Sequence, residues 1–389
     1  MTYADLDRDA RAIAAWLQTT TSRDDRVLLL YPPGLEYIKA FFGCLYAGVI
    51  AVPAYPPRNN RNLLRLQSLI DDARPSIALT TPQILTRVNT WSGESAALQK
   101  VRWLIAETID DEWQKPRVTG NDLAFLQYTS GSTAAPKGVM LTHSNLFHND
   151  RLLQRAFGQN EQSVIVGWLP LYHDMGLIGI VIHSLAVGAR CILMSPVAFL
   201  QQPFRWLETI SQYRATTSGG PNFAYELCAR RISSEQRATL DLSSWNVAFN
   251  GAEPIRVETL DRFAKTFAPC GFRREAFRPC YGLAEATLLV SARVEEKSAA
   301  ATFKVVSKKA LEQNQIVETD TGETRKLVSC GDALLEDRVI VVDPDSLTRC
   351  PAGKVGEIWV NGPSVALGYW NKPRETKETF WAVPADGGG

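Results

Sequence analysis

The stretch Tyr128–His143, YTSGSTAAPKGVMLTH, places seven serine, threonine or glycine residues and one lysine among its sixteen positions. The apolar run LAFLQ leads into it, VML lies inside its far end, and a helix is expected to begin near His143 to Asn145. Gly131 can reach backbone angles closed to other residues, so successive N–H groups there can turn inward as an anion nest. Thr129, Ser130, Ser132 and Thr133 would add hydroxyl donors, and Lys137 a mobile point charge suited to phosphate. A Ser/Gly surface loop with a chance lysine has the same composition. The strand–loop–helix order is the unit from which layered α/β folds are built.

The same alternation extends outward on both sides. Leu6, Ala10, Ile13, Ala14 and Leu17 share a helical face. RVLLLY is a continuous apolar run, as in a strand buried on both faces. LEYIKAFFGCLYAG returns to helical spacing, with Gly48 as its stop. Strands VIAVPAY, SIALT, RWLIA, VIVGWL, RCILM and NVAFN follow, with helices expected from Leu63 and from His143, Asp174, Ala198, Pro221 and Ile255. This pattern implies parallel sheets faced by helices, and several sheets rather than one very wide one. Past Ser291 the sequence becomes charged, with no clear period as far as Lys326. The runs DRVIVVD and GEIWVNG then suggest a smaller β-rich lobe.

Composition excludes several classes. The 389 residues carry a net charge of +1, so no basic excess points to nucleic acid. Seven scattered cysteines without C-x-x-C spacing argue against a disulfide framework or zinc site and fit a reducing cytoplasm. The longest uncharged run, Ala40–Pro57, holds three prolines and falls short of a membrane span.

The order of residues in the opening stretch resembles the phosphate loop of the adenylate-forming superfamily, with Ala134 where many members carry glycine. Three later stretches match the superfamily in order. RPCYGLAEATL (Arg278–Leu288) resembles its Y-G-x-T-E motif, with Ala284 replacing threonine. FNGAEPI resembles the segment flanking adenine, and LPLYHDMGLIG the segment beside the reacting carboxylate. The resemblance implies ATP and Mg2+ as cofactors. It places Thr129, Ser130, Gly131, Ser132, Thr133 and Lys137 on phosphate. Asn250, Gly251, Ala252, Glu253, Tyr281 and Gly282 would surround adenine, and Glu285 with Thr133 would ligate the metal. A hard cation that keeps waters suits such oxygen donors. Lys137, His173 and Glu285 are the implied catalytic residues. His173, Met175, Gly220, Asn222 and Phe223 are the implied acyl-binding ones. The late stretch GKVGEIWVNGPSVALGYW is architectural in the family.

The wording of YHDMGLIG, SGGPNFAYELCARRI and YGLAEATLLVS is most similar to fatty acyl-AMP ligases. That branch activates long-chain fatty acids as acyl-adenylates. It then hands them to an acyl carrier protein, or to the carrier domain of a polyketide or peptide synthase. Its expected fold is α/β: two packed α/β lobes with largely parallel sheets over residues 1–290, then a β-rich third subdomain over 291–389. The third subdomain would carry a polar insertion at about 295–326, which in the family restrains a mobile C-terminal domain. The sequence ends at WAVPADGGG, before the family's T-G-D motif and C-terminal catalytic lysine. A chain lacking them is expected to bind nucleotide and turn over poorly. An acyl-CoA synthetase, a peptide-synthetase adenylation domain and a non-catalytic nucleotide-binding module are the alternatives.

Overall fold

Continuous apolar runs such as VLLL lose all their side chains from water only when a sheet is covered on both faces. In the computed structural model Val27, Leu28, Leu29 and Leu30 are completely buried. The structure describes residues 1–57, 60–93, 95–107, 112–129, 136–294 and 301–387. The chain divides into two units. The first comprises residues 1–147, 170–177 and 366–380; the second comprises 148–169, 178–365 and 381–389.

The first unit is built on strands β1 (Arg26–Leu30), β2 (Ile50–Ala54), β3 (Ile77–Thr80), β4 (Arg102–Ile105), β5 (Leu123–Tyr128) and β6 (Gly138–Thr142). Among the described residues their order is β4-β3-β1-β2-β5-β6. The pairs β1–β2, β1–β3, β3–β4 and β2–β5 are parallel. The helix Leu35–Ala47 stops where expected, with Gly48 in the left-handed region at φ 74°. The opening stretch differs from its sequence reading. Gly138–Thr142 does not run straight from loop to helix but returns as β6, antiparallel to β5. Five residues with polar or glycine ends carry too weak a period to show this.

The second unit holds β7 (Val164–Gly167), β8 (Arg190–Leu193), β9 (Thr217–Gly220), β10 (Val247–Asn250), β11 (Phe277–Gly282) and β12 (Leu289–Ala292). Strands β8, β7, β9, β10 and β11 lie parallel in that order, and β12 turns back antiparallel to β11. A nest of rings fills one side. Trp206, Trp245, Phe263 and Phe277 surround or adjoin Tyr225, with Trp206 and Phe263 edge-on to it at 5.5 and 5.1 Å. Such rings combine large buried area with fixed mutual geometry.

The charged region after Ser291 is more regular than its sequence suggests. Strands β13 (Phe303–Ser307) and β14 (Thr324–Val328) form an antiparallel ribbon. Val306 is buried while Phe303 and Lys304 stay exposed, so no apolar alternation marks the strands. Ion pairs Lys304–Glu318 and Lys308–Glu323 decorate the surface of this region. They add little stability at this exposure. β15 (Asp332–Ala333) then joins β12 at the sheet edge, and β16 (Arg338–Val342) pairs with β17 (Glu357–Asn361). Among the described residues no helix is long and apolar enough to cross a membrane.

Candidate active site

The expected site residues fall in both units, and each group is described within its own unit. In the first, Ser130, Gly131, Ser132 and Thr133 lie outside the described residues, but both rims of their loop are described. Thr129 N–H donates to the Lys137 carbonyl at 3.2 Å. The Arg65 guanidinium donates to the Thr129 carbonyl at 3.1 Å. Just before the loop, the Tyr128 hydroxyl donates to Asp72 at 2.7 Å, and Lys372 pairs with the same carboxylate at 3.1 Å. Burial and that carboxylate push the Tyr128 phenol far up, so it stays a proton donor.

Lys137 rests its ammonium 4.7 Å from the centre of the Tyr369 ring. Tyr369 is buried and itself bridges Val139 across a strand edge. Trp370 N–H donates to the Gly138 carbonyl at 2.7 Å. Tyr369 and Trp370 of the late motif therefore meet the loop lysine and its neighbour Gly138, a role the sequence reading did not assign. No local pattern signals it, because the residues are 232 positions apart.

His173 and Met175 belong to the same unit. His173 has a partly exposed side chain with Nδ1 2.6 Å from Asp174 Oδ1. Burial works to lower its pKa, but the bond to the Asp174 carboxylate outweighs this and holds it above 6.5. The Asp174 carboxylate thus favours the protonated form of His173. Met175 is buried, and its N–H donates to Asp174 at 2.6 Å.

In the second unit β10 ends at Asn250, and Gly251, Ala252 and Glu253 follow. Asn250 is completely buried, and among the described residues neither its amide nitrogen nor its amide oxygen has a hydrogen-bond partner. Such orphans are costly and mark a place where polar groups are expected to be supplied. Ala252 sits at φ 66°, a left-handed conformation unusual for alanine. Glu253 accepts from Phe223 N–H at 2.6 Å, tying the two segments together.

Asn222 spends its amide within the protein. Its oxygen accepts from Arg256 N–H at 3.1 Å and its nitrogen donates to Thr259 at 3.3 Å. Phe223 is exposed and lies edge-on to Trp168 at 6.1 Å. Gly220 faces the same indole, and a Cβ there would stand 2.6 Å from Trp168 Cζ2.

Tyr281 and Gly282 close β11, and Glu285 stands in the single turn Ala284–Ala286 that follows. Burial, then the Glu285 charge, pushes the Tyr281 phenol up, so the two side chains feel each other directly. Gly282 sits at a register shift where a Cβ would lie 1.8 Å from the Leu288 carbonyl oxygen. Among the described residues no group of three or more His, Cys, Asp or Glu side chains could hold a metal. A half-buried carboxylate such as Glu285 instead fits a cation that keeps its waters and takes further ligands from phosphates.

Comparison with known proteins gives this arrangement relatives. The family described as AMP-binding enzyme matches residues 1–370. The medium-chain-fatty-acid–[acyl-carrier-protein] ligase JamA of Moorena producens is 48% identical over 401 residues, across 100% of this chain and 67% of that protein. The ligase TtuA of Teredinibacter turnerae, with the same description, is 34% identical across 98% and 66%. A fatty acyl-adenylate ligase from Legionella pneumophila was solved in complex with acyl adenylate and pyrophosphate. It is 45% identical at a TM-score of 0.90, over 97% of this chain and 66% of that one. The chain thus spans about two thirds of the length of these relatives.

Proposed function

The chain belongs to the AMP-binding enzyme family, and from that premise we propose that it joins a fatty acid to ATP as an acyl-adenylate, releasing pyrophosphate. The acyl group then passes to the phosphopantetheine thiol of an acyl carrier protein. The observation that carries this reading is the likeness to a ligase that was captured with acyl adenylate and pyrophosphate. Both are products of the proposed step. The relatives described as acyl-carrier-protein ligases support the acceptor.

In the proposed reaction a carboxylate oxygen of the fatty acid attacks the α-phosphorus. The bond from that phosphorus to the bridging oxygen breaks, and pyrophosphate leaves with the electron pair. No protein nucleophile is needed, so catalysis is positioning and charge neutralisation. Lys137 and the Thr129–Thr133 loop would hold the departing phosphates. Tyr281, Gly282 and the Asn250–Glu253 segment would take the adenine, whose edge could satisfy the orphaned Asn250 amide. His173, oriented by Asp174 and favoured in its protonated form, would attract the incoming carboxylate. Met175, Gly220, Asn222 and Phe223 would border the acyl chain, where each buried methylene contributes ~0.8 kcal/mol. Magnesium, held by Glu285 and Thr133, would supply charge neutralisation between phosphates.

The test is calorimetric titration of the 389-residue chain with dodecanoyl-sulfamoyl-adenosine and with its phenylalanyl counterpart. Binding of the dodecanoyl compound alone is expected. Preference for the phenylalanyl compound would replace the fatty acid with an amino acid, and binding of neither would remove the ligase reading. For acceptor choice, acyl transfer to holo-carrier protein is compared with transfer to coenzyme A; equal or greater transfer to coenzyme A overturns the carrier assignment.

A further inference from the structure

The Glu285 turn is held from behind by a set of buried side chains that no part of the proposed reaction uses, all within the second unit. Asn149, completely buried on the helix His143–Phe157, pairs with the backbone of Leu289 at two points. Its Oδ1 accepts from Leu289 N–H at 3.0 Å and its Nδ2 donates to the Leu289 carbonyl at 2.9 Å. The same Nδ2 reaches the Ala286 carbonyl at 3.3 Å and donates to Ser364 Oγ at 3.0 Å. Thr287, also completely buried, donates from Oγ1 to the Ser364 carbonyl at 2.6 Å.

Ser364 is therefore a hub, and its hydroxyl has a third neighbour. His148 Nδ1 lies 2.7 Å from Ser364 Oγ, while His148 Nε2 lies 3.0 Å from Glu336. One assignment serves His148, Ser364 and Asn149: Nε2–H donates to the Glu336 carboxylate, Nδ1 accepts from the serine hydroxyl, and that oxygen accepts from Asn149, while the buried Asp337 carboxylate 3.9 Å from Nδ1 stays outside these bonds. Buried side chains bonded in this way to one another and to the backbone rigidify a structure.

Thr287 shows what the network restrains. Its backbone sits at φ 69° and ψ −63°, far from any ordinary conformation for a β-branched residue. Such a conformation is unfavourable and persists only where its surroundings over-determine it. The conformation ends the turn that carries Glu285 two residues earlier. Bonds to Ala286, Thr287 and Leu289 fix three of the four residues following that carboxylate, and with them the backbone from which it projects.

We propose that Asn149, Thr287 and Ser364 are positioning residues that aim the Glu285 carboxylate at the metal accompanying ATP, with His148 fixing Ser364. This rests on the ligase reading above. The supports of a metal ligand commonly matter nearly as much as the ligand itself.

The test uses Thr287→Val, which keeps the branched shape and removes the hydroxyl, beside Thr287→Ser, which keeps the hydroxyl. Each chain is titrated calorimetrically with Mg2+–ATP and with AMP, and its melting temperature is recorded. Thr287→Val is expected to weaken Mg2+–ATP roughly 10–100-fold while AMP affinity stays within about twofold. Thr287→Ser is expected to bind both as the parent does. Equal loss for both nucleotides, no loss for either, or failure of Thr287→Ser to rescue overturns the proposal. Should Thr287→Val not fold, Ser364→Ala carries the same comparison; if both fail to fold, the contacts are structural only and the proposal falls. A parent chain that binds neither nucleotide overturns the ligase reading and this inference together. A parent that binds Mg2+–ATP beside an unaffected Thr287→Val overturns the inference alone.

Discussion

Among the described residues Lys137 is met by a backbone bond of 3.2 Å from Thr129 and by a ring 4.7 Å from its ammonium. The Glu285 turn, by contrast, is fixed by Asn149, Thr287 and Ser364 through side-chain bonds of 2.6–3.3 Å, all buried. The cation sits at the end of a flexible four-carbon stem, whereas the backbone after the carboxylate is tied by buried side chains. A point charge serves phosphate from many angles. A metal ligand must be held in direction as well as distance, since magnesium demands near-ideal geometry. The same chain thus builds one half of its charge set for mobility and the other for rigidity.

The largest break in this contrast is Gly282→Ala. Its new Cβ would lie 1.8 Å from the Leu288 carbonyl, a backbone atom that cannot step aside. A stability loss of about 3 kcal/mol or more is expected from the urea midpoint, since overpacking here displaces main chain. A midpoint near the parent's would show the turn to be softer than its contacts imply. On the mobile side, Lys137→Ala is expected to leave the fold intact and weaken ATP roughly 10–100-fold, the scale of a lost charged hydrogen bond. Adenosine affinity should not move; a parallel loss would mean that the lysine shapes the site rather than meeting phosphate.

A smaller effect sharpens the same comparison. The coupling between Lys137 and Tyr369, measured by a double-mutant cycle of Lys137→Ala and Tyr369→Leu on stability, is expected at about 0.5–1 kcal/mol. Tyr369→Phe should preserve it, because the ring face is what the ammonium meets. A coupling of zero would make the contact incidental.

The smallest effect concerns His173, whose pKa stands above 6.5 because the bond to Asp174 outweighs burial. Asp174→Asn leaves the burial and removes the charge, so the His173 midpoint seen by NMR should fall. The sign for stability follows from the raised value. The contribution of the pair is fully present below pH 6.5, the ordinary histidine value, and fades as pH rises through the folded midpoint. In the Asp174→Asn chain that dependence should shrink, and an unchanged profile would detach it from this pair.

Much of the fold could be read locally. RVLLL announced a strand buried on both faces, and Gly48 ended its helix where a left-handed residue was needed. Strand β6 and the β13–β14 ribbon were not legible. The first is five residues long and the second leaves its side chains mostly in water, so neither shows an apolar alternation. For the site, Tyr281 and Glu285 stood within one motif, and the structure keeps them close enough for the carboxylate to shift the phenol. Nothing near Lys137 foretold Tyr369, and nothing near Glu285 foretold Asn149 or Ser364.

The amino-acid sequence by itself determined which residue types stand at each strand end, because loop chemistry and burial period are local properties of the chain. Only the tertiary structure decided what restrains them. Asn149 reaches Leu289 across 140 positions, and Thr287 reaches Ser364 across 77. A hydrogen bond between such residues depends on packing of whole elements, and no local run of sequence encodes that distance.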